Sequence, residues 1–168
     1  MNLRAHPATP SVTVSGIEAS VWRTDDHWHF RYLVEGASSL IILPAHAAER
    51  SDGLWQATCF EAFIGLDGAT YLELNFSPSG QWAAYRFVNP RTGMRDEPAG
   101  IEVWLEGGED WIAVEAAVCS TALHPAAPVG LTAVIEETGG HKSYWALAHP
   151  SGPPDFHDPS CFIARLPE

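Results

Sequence analysis

Hydrophobic residues in this chain fall in short runs, and most runs alternate with a period of two. The stretch Tyr71–Phe87 reads YLELNFSPSGQWAAYRF. In its first half Leu72, Leu74 and Phe76 share one parity, and Tyr71, Glu73 and Asn75 share the other. Successive side chains of a strand point to opposite faces, so this is a strand with one aliphatic face and one polar-aromatic face. Further runs predict strands at Ile17–Arg23, His27–Glu35, Leu40–Leu43, Thr58–Leu66, Gln81–Val88, Ile101–Glu106, Trp111–Val118, Leu131–Glu137, Ser143–Ala148 and Cys161–Leu166. Asp25-Asp26 and Gly107-Gly108 supply turns between them. Only Ala45–Gly53 and Ser120–Pro125 suggest a turn of helix, the latter capped by Ser120. Many short strands without crossover helices predict an all-β fold: an antiparallel β-sandwich, immunoglobulin-like or jelly-roll, in one domain spanning residues 1–168.

The hairpin at Tyr71–Phe87 raises the first functional question. With Pro78 and Ser79 as the two central turn residues, Asn75 opposes Trp82, Glu73 opposes Ala84 and Tyr71 opposes Arg86. A four-residue loop of the same register gives the same facing pairs. This register gathers the recognition groups on one face and leaves a hollow over Glu73, where Ala84 is small. An amphipathic hairpin with an exposed Tyr–Arg stack and a Glu–Arg pair is the plainer reading, and exposed pairs of that kind contribute little stability. Glu61 adds weight to a site, because it interrupts the otherwise apolar run TCFEAFIGL and a buried carboxylate needs a partner. That partner is either an arginine such as Arg86 or a ligand. Farther on, SYWALAHPSGPPDFHD places Trp145, Leu147 and His149 on one strand face, then enters a Pro/Gly loop carrying Phe156 and His157. Loops of this kind over a rigid sheet form binding rims.

Composition narrows the ligand. The 168 residues include 21 acidic and 9 basic side chains, for a formal charge of −12. Such a surface repels phosphate backbones and anionic lipid, so neither nucleic acid nor membrane is an expected partner. The three cysteines, Cys59, Cys119 and Cys161, show no metal spacing, and the opening MNLRAHPATPSV has no apolar core of a secretory leader, so the expected compartment is the cytoplasm.

The stretch LWQATCFEAFIGLDGATYLELNFSPSGQWAAYRF (Leu54–Phe87), with NPRTGMRD (Asn89–Asp96) and the ending YWALAHPSGPPDFHDPSCF (Tyr144–Phe162), resembles DOMON-like proteins related to the family-nine carbohydrate-binding modules. The resemblance covers nearly the whole chain. It implies a β-sandwich with a ligand-binding role, sugars or haem being the ligands of relatives. Family-nine modules hold sugar between two tryptophans, and Trp55 and Trp145 match best by motif position, with Trp82 a third candidate.

The expected ligand is a small, saccharide-like molecule. Sugar C–H faces pack on aromatic rings while the hydroxyls need planar polar partners. The candidate site is Trp55, Glu61, Tyr71, Glu73, Asn75, Trp82, Arg86, Trp145, His149 and His157. No resident cofactor or metal is expected. Haem is the cofactor alternative, with Met94, His149 and His157 as axial candidates, and a protein-interaction surface without a small ligand is the other. Glu61 and Glu73 could form the carboxylate pair of a glycosidase on geometric grounds alone, and no catalytic activity is expected.

Overall fold

A computed structural model describes all residues from Met1 to Glu168. Its twelve strands are β1 (Asn2–Ala5), β2 (Gly16–Arg23), β3 (Trp28–Glu35), β4 (Cys59–Gly65), β5 (Tyr71–Phe76), β6 (Trp82–Phe87), β7 (Arg95–Asp96), β8 (Gly100–Gly107), β9 (Trp111–Cys119), β10 (Pro128–Glu137), β11 (His141–Ala146) and β12 (Ala164–Arg165). One layer runs β8-β9-β3-β2-β1 and the other runs β7-β6-β5-β4-β10-β11-β1, with β12 on the end of β10. β1 pairs with β2 on one side and β11 on the other, so it joins the two layers. Every strand pairing is antiparallel. The fold is therefore the expected all-β sandwich.

Alternation builds the interior. Phe30, Tyr32 and Val34 of β3 and Val114, Ala116 and Val118 of β9 point inward from one layer. Phe60, Ala62 and Ile64 of β4, Leu72, Leu74 and Phe76 of β5, and Leu131, Ala133 and Ile135 of β10 meet them from the other. Full burial of each large side chain contributes about 1.5–3 kcal/mol. The Tyr32 hydroxyl donates across this core to the Glu61 carbonyl at 2.7 Å, which satisfies the polar tip of that buried ring.

The outer face of the second layer is also covered. A separate cluster of Leu54, Cys59, Phe63, Tyr71, Ala83, Tyr85, Phe87, Val134, Ala146 and Phe156 forms there. Its cover is the long C-terminal segment that follows β11. Gly130 of β10 permits this close approach: a Cβ at that position would lie 2.9 Å from Phe162 and 3.2 Å from the Cys161 carbonyl. β4 and β5 are consequently buried on both faces, as the run TCFEAFIGL suggests.

Several local expectations change. Leu40–Leu43 is not a strand. It contributes one bridge, Leu40 to Glu137, and Pro44 ends it before a ladder can form. Ala45–Gly53 is not helical; a 3-10 turn forms just after it, at Leu54–Gln56. Ser120–Pro125 forms turns, with the Ser120 hydroxyl accepting from the Ala122 N–H. Of Cys161–Leu166 only Ala164–Arg165 is strand. β1 and β7 carry too little pattern to be seen in the sequence.

The largest correction concerns the β5–β6 hairpin. Its register pairs Tyr71 with Phe87, Glu73 with Tyr85, Asn75 with Ala83 and Phe76 with Trp82. This is one residue away from the sequence-based pairing. The connection is a three-residue loop, Pro78–Gly80, not a two-residue turn. The Gly80 N–H donates to the Ser77 carbonyl at 3.0 Å, and the Ser77 N–H donates to the Gln81 carbonyl at 2.9 Å. Gly80 closes the loop at φ 96, a backbone region that favours glycine. A shift of one residue exchanges the faces of the whole partner strand.

Candidate ligand-binding site

The outer face of β4, β5, β6 and β10 floors a cavity of about 870 Å³, larger than three other concavities of about 500, 210 and 620 Å³. Glu61 stands opposite Asn75 and Thr132, while Phe63 stands opposite Glu73. All five therefore project from one face. The corrected register adds Tyr85 and Phe87 from β6. Asp96 of β7, directly opposite Tyr85, extends the floor to the sheet edge.

One wall comes from the segment before β4. Glu49–Ser51 hydrogen-bonds alongside Trp82, with the Trp82 N–H donating to the Glu49 carbonyl at 3.2 Å and the Ser51 N–H to the Trp82 carbonyl at 2.9 Å. Gly53 then turns the chain at φ 73 into the 3-10 turn. Leu54 anchors this turn in the outer cluster, and Trp55, 54% exposed, faces the cavity. The Lys142 ammonium, from β11, fastens the turn by donating to the Gln56 carbonyl at 2.5 Å. On the same wall the Tyr85 hydroxyl donates to Asp52 at 2.6 Å. Arg50 pairs with Asp52 at 3.0 Å and Asp96 at 2.5 Å, its guanidinium 5.3 Å from the Tyr85 ring centre. The hydrogen bond from Tyr85, with Arg50, holds the Asp52 carboxyl below its usual range.

The opposite wall is the C-terminal segment with Pro154, Phe156 and His157, reinforced by Tyr144. Phe156 packs into the outer cluster with its ring 6.3 Å from Phe63. His157 sits among Phe63, Tyr71 and Phe87, with ring centres 5.2–5.9 Å away. Its Nδ1 is 2.7 Å from the Tyr71 hydroxyl, and that hydroxyl accepts the Arg91 N–H at 3.2 Å. With the phenol donating to Nδ1, the Nε2 proton faces Glu73, whose Oε2 lies 3.8 Å away. Burial, aided by the nearby Arg91 charge, pushes the imidazole down to about 4. The His157–Glu73 contact is thus one between a neutral ring and an acid near neutral pH, not an ion pair.

The two floor carboxyls are the chemical centre. Glu61 is 3% exposed and Glu73 is 6% exposed. Thr132 donates to Glu61 Oε2 at 2.9 Å, and Asn75 donates to Glu73 Oε1 at 2.8 Å. Glu61 Oε1 has no protein hydrogen bond and opens on the cavity, and Glu73 Oε2 has only the distant His157. Burial raises both acids, and the Glu73 charge raises Glu61 further. Near neutral pH the pair therefore presents both hydrogen-bond acceptors and a retained proton. Arg91 is the one cationic side chain of the lining, and it is paired with Asp155 at 2.8 Å.

Placement of the sequence candidates divides cleanly. Trp55, Glu61, Glu73 and His157 line the cavity. Tyr71 and Asn75 stand behind that lining and hold His157 and Glu73 in place. Trp82, Arg86, Trp145 and His149 do not reach it. Trp82 shares the inner face with Phe76 and packs on the main core. Arg86 shares that inner face at the sheet edge, where it forms a two-pronged pair with Glu97 at 2.7 and 2.8 Å. Arg86 is thus not the partner of Glu61 or Glu73. Trp145 opposes Ala133 and lies in the main core, 5% exposed, with its N–H donated to Ser143 at 3.0 Å. Its neighbour Tyr144 has the outward parity. His149 contacts the Arg4 carbonyl at 2.8 Å and the His6 ring, beyond the Phe156 wall.

Asp52, Phe63, Tyr85, Phe87, Tyr144 and Asp96 are lining residues that sequence reasoning did not select. Parity would have found Tyr85 and Phe87 once the loop was counted as three residues. The residues present do not fit haem with His157 as an axial ligand: one ring nitrogen is engaged by Tyr71 and the other faces the Glu73 carboxyl.

The sandwich has a CBM9-like fold. Two solved structures support this. One is a candidate carbohydrate-binding protein from Bacteroides uniformis, with TM-score 0.60 and 14% identity over 88% of this chain and 76% of that one. The other is a family 9 carbohydrate-binding module from Caldicellulosiruptor kristjanssonii in complex with cellotriose, with TM-score 0.53 and 14% identity over 95% of this chain and 78% of that one. At that identity the likeness is one of fold. No protein-family model and no curated protein matches the sequence.

Proposed function

We propose that this protein is a single DOMON-like domain that binds a small saccharide without transforming it. The observation that carries the reading is the cavity itself. Its volume of about 870 Å³ suits a small ligand, typical sites being roughly 300–1,000 Å³. Trp55, Tyr85, Phe87, Tyr144 and Phe156 offer rings to C–H faces, while Glu61 and Glu73 turn unpaired carboxyl oxygens toward hydroxyls. The cellotriose bound to the family 9 module of like fold supports the ligand class. A flat apolar patch, as a protein-docking surface would present, is not what covers this face.

The test is a titration of tryptophan fluorescence with glucose, cellobiose and cellotriose, checked by calorimetry. Trp55 is the one tryptophan of seven that lines the cavity, so Trp55→Phe should abolish the fluorescence change and weaken binding. Saturable binding with that loss supports the reading. Absence of binding to every sugar would sink it.

A further inference from the structure

The cavity is more acidic than a site for a neutral sugar requires. Asp52 and Asp96 share a single arginine, Arg50, and Arg91 is matched by Asp155. Glu61 and Glu73 form no ion pair with an arginine or lysine; the Arg91 charge reaches Glu73 only from a distance. They occupy diagonal positions on neighbouring strands, so their side chains converge over the same patch of floor. Each is more than nine-tenths buried, and each has a carboxyl oxygen turned to the cavity with no hydrogen-bond partner. Structural acids elsewhere in this chain are satisfied by the chain itself, Glu97 by Arg86 and Glu137 by backbone and hydroxyl donors. The cost of two adjacent buried carboxyls is relieved when a cation enters between them. The rings of Tyr85 and Phe87 on the same floor and of Trp55 on the wall line the same cavity, and aromatic rings also attract a positive charge.

We infer that the ligand carries a protonated amino group seated between Glu61 and Glu73, so that the preferred ligand is an amino sugar with a free amine. This deepens the saccharide reading and rests on it for the sugar part. Both acids are held above their ordinary range by burial, and Glu61 also by Glu73, so a positive charge placed between them would favour their ionised forms. The Glu73 oxygens, fixed by Asn75 on one side and flanked by His157 on the other, would orient the ammonium. The rings would then take the apolar face of the sugar.

Calorimetry on the intact chain at neutral pH and low salt, with glucose, glucosamine, N-acetylglucosamine and cyclohexylamine, separates the possibilities. The expected result is glucosamine tighter than both glucose and N-acetylglucosamine by about tenfold or more. In Glu73→Gln, and independently in Glu61→Gln, that gap should shrink to within about twofold. Equal affinities for glucose and glucosamine in the unmodified protein would overturn the amine seat while leaving the saccharide reading intact. Cyclohexylamine binding with no sugar bound would keep the amine seat and remove the saccharide reading. No binding by any of the four would overturn both.

Discussion

Two buried glutamates, Glu137 and Glu61, stand in different regions of the same sandwich and behave in opposite ways. Glu137, at the end of β10, is 1% exposed. It accepts from the backbone N–H groups of Val12, Thr13 and Val14 at 2.9, 2.6 and 3.3 Å, and from the hydroxyls of Ser11, Thr13 and Ser39. Burial alone would raise its pKa, but these donors overcome burial and hold it down to about 2. Glu61 is buried to the same degree with a single side-chain donor, and its pKa moves up. The difference lies in the supply of donors and in the Glu73 charge beside Glu61, not in solvent exposure. A carboxylate whose acceptors are all filled by the chain is a structural latch, here tying the Ser11–Val14 segment to β10. One left with an open oxygen in a cavity is available to something else.

Removing the latch should have the largest effect. Glu137→Ala strands several donors and should lower stability by about 3 kcal/mol. For a chain of this size that is a fall in melting temperature of roughly 6–12 °C. The folded-state pKa is depressed, so the stabilisation is present above the unfolded value near 4.5 and is lost as pH falls toward about 2. Melting curves between pH 7 and pH 2 should therefore converge for Glu137→Ala and the parent. A constant gap across that range would break the contrast between the two glutamates.

The cavity floor should answer the other way. Glu73→Gln should weaken saccharide binding by about tenfold, the loss of one hydrogen bond to a charged group. Its melting temperature should stay level or rise, because a buried charge has gone. Calorimetry and melting on one preparation decide the matter, and a parallel loss of both would make Glu73 a second latch.

Glu61→Gln sharpens the comparison through pH. The raised folded-state pKa means that the native protein binds this proton more tightly than the unfolded chain does. Stability contributed by that proton is therefore full below about pH 4.5 and declines as pH rises through the folded value. The variant, which mimics the protonated acid, should match the parent at pH 4 and be more stable than it at pH 9, the gap opening as pH rises above about 4.5. An identical pH profile for the two proteins would show that Glu61 carries no unusual proton affinity.

How much of this was legible in the sequence depends on whether a signal is local or relational. Strand alternation is local. The run TCFEAFIGL announced a strand buried on both faces, and Glu61 within it was visible as an anomaly. Glu73 and Asn75 were readable from parity on their own strand. The partner across the hairpin was not, because Ser77–Gly80 permits two loop lengths, and the choice of Gly80 as the closing residue reverses the faces of β6. Trp145 was misplaced for a related reason. Tyr144 and Trp145 are adjacent and aromatic, so composition cannot say which points inward; pairing with Val134 and Ala133 decides it. Asp52 belongs to a third kind, since it reaches Tyr85 only through the bridge between Arg50 and Trp82. The latch at Glu137 left no mark in the sequence, because its donors are backbone groups 123–125 residues away.

The smallest expected effect is the most direct check on which face is which. Arg86 lies one position from Tyr85 and would have been the cavity's cation under the two-residue turn. In the observed register its guanidinium is on the other side of the sheet, committed to Glu97 at 2.7 and 2.8 Å. Arg86→Gln should therefore leave saccharide affinity within about twofold, while unpairing Glu97 lowers stability by about 1 kcal/mol. Tyr85→Phe, one residue earlier, should weaken binding by severalfold because it releases Asp52 from the wall. A sheet whose pleat is real must separate two adjacent substitutions in this way. If Arg86→Gln instead abolished binding in a protein that still melted cooperatively, the pairing of Glu73 with Tyr85 would be the wrong register and the cavity floor would have to be rebuilt around Ala84.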